Sequence, residues 1–178
     1  MSTRISVPNV RELWDAHGGI YGGHVYPRDG MPAYPLVISL SNEAYIEPAQ
    51  YCNPGAIVGP GSHWDGRGNM RSLLAADPDN LIATQIRALR VGGHADWHWP
   101  SKLECAVLYA NLGDLVYAYL RAHPSAPQWA TWICQRSRDN EQSFLQNWNN
   151  GAQSQTRRVS TFTALAVRRV DYPTALAS

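Results

Sequence analysis

The sequence has few cysteines, almost no net charge and no long hydrophobic run. Its three cysteines, Cys52, Cys105 and Cys134, form no CxxC pair, so neither a disulfide framework nor a zinc knuckle is predicted. A formal net charge of +1 argues against a protein that holds nucleic acid or an anionic membrane through bulk charge. No run approaches the roughly 20 apolar residues of a membrane helix, and no signal-like segment follows Met1, which predicts synthesis in a cytoplasm.

The usual motifs of catalysis are also missing. No serine stands in a Gly-x-Ser-x-Gly elbow, and no cysteine stands in a recognisable nucleophile motif. The glycines of GPGSHWDGRG, residues 59–68, lack the lysine and the strand-to-helix context of a phosphate loop. The sequence therefore predicts a protein that is not an enzyme and needs no cofactor.

What is present is typical of one globular domain packed by large rings. Of the 178 residues, 44% are hydrophobic and 10% are aromatic, and 14 are glycine. We predict an N-terminal arm at 1–17, one domain at 18–170 and a C-terminal tail at 171–178. Charge is uneven, because residues 115–178 carry seven arginines against three acids.

Periodicity and turn residues predict an α+β domain. Two β-rich runs, Ile20–Tyr26 and Tyr34–Leu40, form a hairpin, and a loop rich in proline and glycine follows at 41–68. Three further β candidates occupy residues 129–135, 143–148 and 163–170. A first strand beside the last would bring the N- and C-terminal strands together, with two helices packed on small antiparallel sheets.

Two helices are predicted in the middle of the chain, after a short turn at 70–76. For the first, Asp77 is the expected N-cap, with Pro78 at the first helical position and Gly92 after the end. The second follows Pro100 and begins with a capping box, in which Ser101 and Glu104 satisfy each other's backbone N–H groups.

The stretch GGHADWHWPSKLE, residues 92–104, concentrates side chains that could bind a metal. His94, Asp96 and His98 would share a face only in an extended segment, with His63 and Asp65 as possible additions, but no established zinc spacing is met. A metal-dependent enzyme that uses His94, Asp96 and His98 is the least favoured alternative.

A structural role for the same stretch accounts for more of its features. Asp96 follows a helix stop, where its carboxylate can accept hydrogen bonds from loop amides, and Trp97 and Trp99 can fill the core between the helices. We therefore expect Asp96 and Trp97 to be buried, and His94 and His98 to be incidental or at the surface.

The last third of the chain mixes tryptophan with polar side chains on short strands and turns. Planar contact area combined with directional hydrogen bonds is typical of recognition surfaces. The candidate ligand-binding residues are Trp132, Gln135, Arg136, Arg138, Asn149, Asn150, Gln153 and Arg157. For any single one of these residues, an ordinary solvated loop is the favoured interpretation; as a group, the two interpretations are evenly balanced.

In order along the chain, several segments resemble the Lcl C-terminal-like domain family. This is the C-type-lectin-like domain at the C-terminus of a bacterial collagen-like adhesin and in many phage structural proteins. The matching segments are GGIYGGHVYPRDGMPAYPLVIS (18–39), DGRGNM (65–70), ALRVGGHADWHWPSKLEC (88–105), TWICQRS (131–137), SFLQNWNNGAQ (143–153) and ALAVRRV (164–170). The resemblance runs from Gly18 to Val170, and the segment at 88–105 is its most specific match.

The resemblance implies a C-type-lectin-like fold and a binding scaffold whose ligand contacts come from the exposed face of the final strands. Trp148-Asn149-Asn150 only partly matches the Trp-Asn-Asp strand of calcium-dependent lectins of this fold, and Glu47-Pro48-Ala49 lacks the amide of their Glu-Pro-Asn loop. Calcium binding requires several carboxylate and carbonyl oxygens that converge on one point, and residues 115–178 contain only three acids. No bound metal is therefore expected.

The function that follows from the resemblance is that of a phage virion component, made in the bacterial cytoplasm. It would be a receptor-binding module or a capsid or tail decoration module. It would contact other virion proteins and, in the receptor-binding case, a host surface receptor, which is a protein or a glycan. A homo-oligomer is expected, with a trimer favoured. The alternative is a purely structural decoration or fibre-joining protein that touches no receptor.

Overall fold

The computed structural model describes residues 6–28, 30–53, 55–56, 59, 61–123, 129–136 and 141–171. Within these residues the protein is α+β, with three helices and two sheets. None of the described helices is both long and apolar enough to cross a membrane.

The described strands fall into two sheets. They are β1 (Leu13–Trp14), β2 (Gly19–Val25), β3 (Tyr34–Ile38), β4 (Ala49–Gln50), β5 (Ala130–Arg136), β6 (Gln142–Asn147), β7 (Gln153–Arg157), β8 (Thr161–Ala164) and β9 (Val167–Arg169). The first sheet has the order β1-β2-β3-β9 and the second the order β4-β8-β5-β6-β7. Only the β5–β8 pair among these is parallel.

The first sheet closes the chain on itself as predicted. The predicted hairpin forms as β2 and β3, and β3 pairs with β9 through Leu36 and Arg169, so the N-terminal strands lie beside the C-terminal one. The segment expected to be an arm contributes β1, and the side chain of Trp14 in that strand is buried in the core.

The predicted strand at 163–170 divides between the two sheets. Its first part belongs to β8 and its last part is β9, so residues 165–166 carry the chain from the second sheet to the first. The polar loop before it contains β7, which has no hydrophobic alternation and pairs with β6 in continuous register. Period-2 patterning could not reveal a strand without apolar residues.

The helices are α1 (Gly66–Ala76), α2 (Leu81–Ala88) and α3 (Lys102–Arg121). The expectation of two helices was wrong, because α1 lies where a loop and a short turn were predicted. Two glycines in its first turn lower the helix propensity of the segment. Asp65 caps α1 by accepting a 2.9 Å hydrogen bond from the Gly68 N–H. A Cβ at Gly66 would lie 2.5 Å from the Trp99 carbonyl oxygen, so glycine allows α1 to approach the start of α3.

The helix caps correct one prediction and confirm another. Asn80, not Asp77, is the N-cap of α2, since its side-chain oxygen accepts from the Ala83 N–H at 3.0 Å. Asp77 instead ends α1, and its carboxylate binds the backbone and side-chain amides of Asn53. The capping box of α3 is present as predicted, with both reciprocal hydrogen bonds between Ser101 and Glu104.

Gly92 packs its backbone against that of Gly18 at the start of β2. A Cβ at Gly92 would lie 2.2 Å from the Gly18 Cα, and its φ of 58° is left-handed. Gly92→Ala should therefore lower the free energy of unfolding by about 2–3 kcal/mol, through left-handed strain and overpacking together. Gly93→Ala is the matched control, because φ is 76° there but nothing lies within 4 Å of the added carbon. Gly93→Ala should lower the free energy of unfolding, measured by urea denaturation, by about 1 kcal/mol. Equal losses for the two variants would contradict the close approach of Gly92 to Gly18.

Candidate functional site

Three of the predicted ligand-binding residues are buried, which contradicts their assignment to an exposed surface. Trp132, Gln135 and Arg136 lie on β5, all seven residues of which are buried. β5 is flanked by β8 and β6, and both α1 and α3 pack against it. These side chains are therefore part of the interior.

The side chain of Trp132 is part of the hydrophobic core. Its indole N–H donates to the Ala49 carbonyl oxygen at 3.0 Å, and its ring meets Tyr51 and Phe162 edge to face. Its own carbonyl accepts a 2.8 Å hydrogen bond from the Trp99 indole. The predicted burial of Trp97 and Trp99 is confirmed.

The remaining predicted residues separate by exposure. Asn149, Asn150 and Arg157 are exposed, whereas Gln153 is half-buried. The Gln153 amide donates to the Lys102 carbonyl at 2.9 Å and to Gln146 Oε1 at 3.1 Å, which ties β7 to the start of α3. Arg138 lies outside the described residues.

The turn between β6 and β7 holds Asn149 and Asn150 outward. Asn147 Oδ1 accepts from both of their backbone N–H groups, and Asn150 Oδ1 accepts from the Ala152 N–H at 3.0 Å. No hydrogen bond engages the Asn149 side chain within the described residues. Its amide is therefore available to a ligand.

Together with the exposed side chains of β7, these residues make the edge of the second sheet polar. We call this edge the β7 surface, and it consists of Asn149, Asn150, Ser154, Gln155 and Arg157, all exposed. Ser154 projects from the opposite face of the sheet to Gln155 and Arg157, because side chains alternate along a strand. β7 is the edge strand of its sheet over the described residues, so its outer backbone N–H and C=O groups face away from β6. The surface is thus rich in hydrogen-bonding groups and lies at the edge of a sheet whose interior strand β5 is buried.

A positively charged cavity lies at the arginine end of the β7 surface. It has a volume of about 350 Å³ and is lined by Cys52, Gly55, Glu141, Arg157, Arg158 and Val159. Arg158 Nη1 donates to the Ala56 carbonyl at 3.0 Å and to Cys52 Sγ at 3.1 Å. Burial raises the pKa of the Cys52 thiol more than Arg158 lowers it, which disfavours the thiolate form of this cysteine.

Within residues 92–104, Asp96 was expected to be buried, but the structure buries His98 instead. His98 is 1% exposed, and its Nε2 lies 2.8 Å from Glu104 Oε1. The Tyr34 hydroxyl donates to the same oxygen at 2.8 Å, and the Ser101 N–H donates to Oε2 at 2.7 Å. The prediction that His98 is incidental or at the surface was therefore wrong.

The buried cluster keeps Glu104 ionised. Burial raises the pKa of its carboxyl, but the attraction and hydrogen bonds of His98, Ser101 and Tyr34 outweigh burial, and the pKa lies below its usual range. An ionised carboxylate only accepts hydrogen bonds, so His98 Nε2 must carry the donated proton. Burial and the Glu104 charge raise the pKa of Tyr34, which keeps that hydroxyl a donor.

Asp96 lies at the surface, in contrast to the expectation that it is buried and bonded to loop amides. Its side chain is 48% exposed and accepts from Arg168 Nε at 2.5 Å, with Arg67 Nη2 at 4.0 Å. Burial raises the pKa of this carboxyl, but Arg168 and Arg67 outweigh it, so the net shift is downward. Asp96 therefore joins α1 to β9 through arginines.

The residues of the metal-binding alternative, His94, Asp96 and His98, each contact a different group. His94 Nε2 contacts the Ala16 carbonyl oxygen at 3.0 Å, while Asp96 faces Arg168 and His98 is bonded to Glu104. Across the described part of the chain, no three His, Cys, Asp or Glu side chains are placed to share a metal ion.

No family model matches this chain, and the search of curated proteins finds no significant match.

Proposed function

We propose that this protein is a phage virion component, either a receptor-binding module or a capsid or tail decoration module. It acts by non-covalent recognition of the host surface or of neighbouring subunits. The observation that carries the proposal is the β7 surface, a set of exposed amide, hydroxyl and guanidinium groups on the edge strand of a sheet whose interior strand β5 is wholly buried. Such a polar sheet edge suits binding rather than catalysis.

A C-type-lectin-like fold is part of the same proposal. Its support is the sequence resemblance over residues 18–170 together with the coarse architecture. The architecture contributes the pairing of β3 with β9, the capping-box start of α3, and a C-terminal sheet that carries the β7 surface. The most specific matching segment, residues 88–105, builds the buried junction of Trp97, Trp99 and Glu104.

The kind of contact is also suggested by the β7 surface. A free strand edge can pair with an extended segment of a partner, and arginine beside a cavity can bind a carboxylate or another anion. Both properties suit either a neighbouring virion subunit or a host receptor. We also propose that the protein forms a homo-oligomer, with a trimer as the favoured state. Light scattering of the purified protein would measure that oligomeric state.

The location of the protein tests the proposal. Antibodies raised against the purified protein should label intact particles at regular positions in immunogold electron microscopy, when the particles come from a strain that carries this gene. Label at a tail tip favours receptor binding, and label repeated over the capsid or along the tail favours decoration. Particles from a strain in which the gene is deleted are the control. Protein confined to the cell lysate, with no label on particles, would overturn the proposal.

A further inference from the structure

Four strands form the edges of the two described sheets, and three of these edges are protected from pairing with another strand. β1 and β4 have two residues each, and β9 has three. Pro48 precedes β4, and the backbone of His98 bridges to Val167 of β9 on the side away from β3. Short length, proline and a covering segment are usual ways to protect an edge.

The fourth edge, β7, carries none of these protections. Its five residues, Gln153–Arg157, contain no proline, and they pair with β6 in continuous register without a bulge. Its one charged residue, Arg157, lies at the last position of the strand. An unprotected edge of this length is a template for another strand.

The hydrogen bonds at the two ends of β7 show how the strand is oriented towards β6. At one end the Asn147 N–H donates to the Ala152 carbonyl at 2.9 Å, and at the other the Arg158 N–H donates to the Glu141 carbonyl at 3.1 Å. Hydrogen-bonded residues recur at every second position along an antiparallel strand. The even-numbered residues of β7 therefore bond to β6.

The odd-numbered residues of β7 turn their backbone N–H and C=O groups away from β6. These residues are Gln153, Gln155 and Arg157. In the described part of the chain, the Arg157 carbonyl accepts from the Ser160 N–H at 3.0 Å, and the other outward backbone groups of the three residues have no partner. Both donors and acceptors are therefore available along the outer edge of β7.

We propose that β7 pairs with β7 of a second copy of this chain, antiparallel and about a two-fold axis at Gln155. Hydrogen-bonded pairs of an antiparallel ladder form between residues whose backbone groups face each other. In this register Gln155 lies opposite its own copy and Gln153 lies opposite Arg157, so outward N–H groups meet outward carbonyls. Ser154 lies opposite Thr156, and such pairs of hydroxyl residues stabilise neighbouring strands.

Charge supports a second copy as the partner. Each Arg157 lies opposite the uncharged Gln153, and the two Arg157 residues lie four positions apart, which is about 14 Å along the strands. That separation exceeds the screening length of about 8–10 Å in ordinary buffers, so the two charges repel each other little. At the axis the two Gln155 amides can bond to each other, because each has both donors and an acceptor. The outer edge of β7 is thus complementary to itself, as a two-fold contact requires.

This self-pairing rests on the proposed function for the assignment of the β7 surface to recognition, and it names a second copy of the chain as the neighbouring subunit. Pairing uses the backbone edge and leaves the side chains on the two faces of the sheet. It is compatible with the proposed trimer, because two trimers joined by two-fold axes form a closed hexamer.

Sedimentation equilibrium of the full-length protein tests the pairing. The mass should rise with concentration to twice that of the smallest species, with a Kd on the order of 10–100 μM, because two short strands bury less area than a stable interface. Gln155→Pro removes the outward N–H at the axis and no bond to β6, a position where an edge strand tolerates proline. It should weaken association by about tenfold or more. Gln155→Ala, which keeps that N–H, is the matched control and should associate within about threefold of the wild type.

Disulfide formation tests the register. Gln155→Cys would place the two Cα atoms about 5.5 Å apart across the axis, within reach of a disulfide, and mild oxidation should link the copies. Arg157→Cys would place them about 14 Å apart and should stay unlinked. The native cysteines are buried, so they do not interfere.

Three results would overturn the self-pairing. The first is a mass that stays constant up to about 1 mM protein. The second is that Gln155→Pro associates as tightly as Gln155→Ala. If Gln155→Pro does not fold, Gln155→Lys replaces it, because it sets two like charges opposite each other at the axis. The third is a doubled mass without a link between copies of Gln155→Cys. None of these results bears on immunogold labelling of particles, so failure of self-pairing is distinct from failure of the virion assignment.

Discussion

His98→Ala is expected to lower the free energy of unfolding by about 3–5 kcal/mol, because it removes a hydrogen-bond donor from a buried carboxylate and leaves a cavity. The variant leaves the Glu104 carboxylate, 1% exposed, without the Nε2 donor, and it leaves the space of an imidazole empty. Asp96→Ala removes a carboxylate that is 48% exposed and paired only with arginines at the surface. It should change the free energy of unfolding by less than about 1 kcal/mol.

Urea denaturation followed by tryptophan fluorescence measures both effects. His98→Asn is a useful companion variant, since its amide can still donate towards Glu104 and should recover part of the loss. A larger loss for Asp96→Ala than for His98→Ala would contradict the placement of these two side chains.

Trp132→Ala is expected to cost about 3–5 kcal/mol, as is usual when a large buried ring is removed. Besides the cavity, the variant leaves the Ala49 carbonyl without its indole donor. For a domain of this size, each kcal/mol lowers the thermal midpoint by about 2–4 °C. The midpoint should therefore fall by about 6–20 °C in calorimetry.

The matched control for Trp132 is Trp129, which is 40% exposed. Trp129→Ala should cost about 1 kcal/mol or less, because most surface substitutions have small effects. Equal thermal midpoints for the two variants would contradict the assignment of Trp132 to the core.

Local patterns predicted the parts of the fold that local physics determines. The capping box of Ser101 and Glu104 is a short-range pattern with a specific geometry, and the structure contains it. The hairpin of β2 and β3 follows from two β-rich runs around turn residues. The burial of Trp97 and Trp99 follows from the size of their apolar rings.

Long-range pairing decided what the sequence could not predict. His98 and Asp96 are two residues apart, and the one that turns inward is set by the bridge between His98 and Val167 of β9. Gln135 and Arg136 were placed at the surface because polar residues usually lie there. They are buried because β5 becomes an interior strand of its sheet once β8 and β6 pair with it.

Three of the predicted ligand-binding residues are exposed, and their positions in a turn and at a strand end explain why. Asn149 and Asn150 precede Gly151 in a tight turn, so their exposure follows from local turn chemistry. Arg157 is exposed because it ends an edge strand. Sequence patterns indicated these three residues correctly as exposed, and their role in binding stays a prediction.

Adsorption of particles to host cells tests the recognition claim most directly. Particles carrying Asn149→Ala, Asn150→Ala and Arg157→Ala together should adsorb at least about tenfold more slowly than wild-type particles, while the purified variant keeps its thermal midpoint. Particles carrying Glu43→Gln, Asp79→Asn and Arg71→Ala, at exposed positions away from the β7 surface, are the control and should adsorb normally. Unchanged adsorption of the first variant, with a normal amount of the protein on the particles, would contradict a receptor contact through the β7 surface.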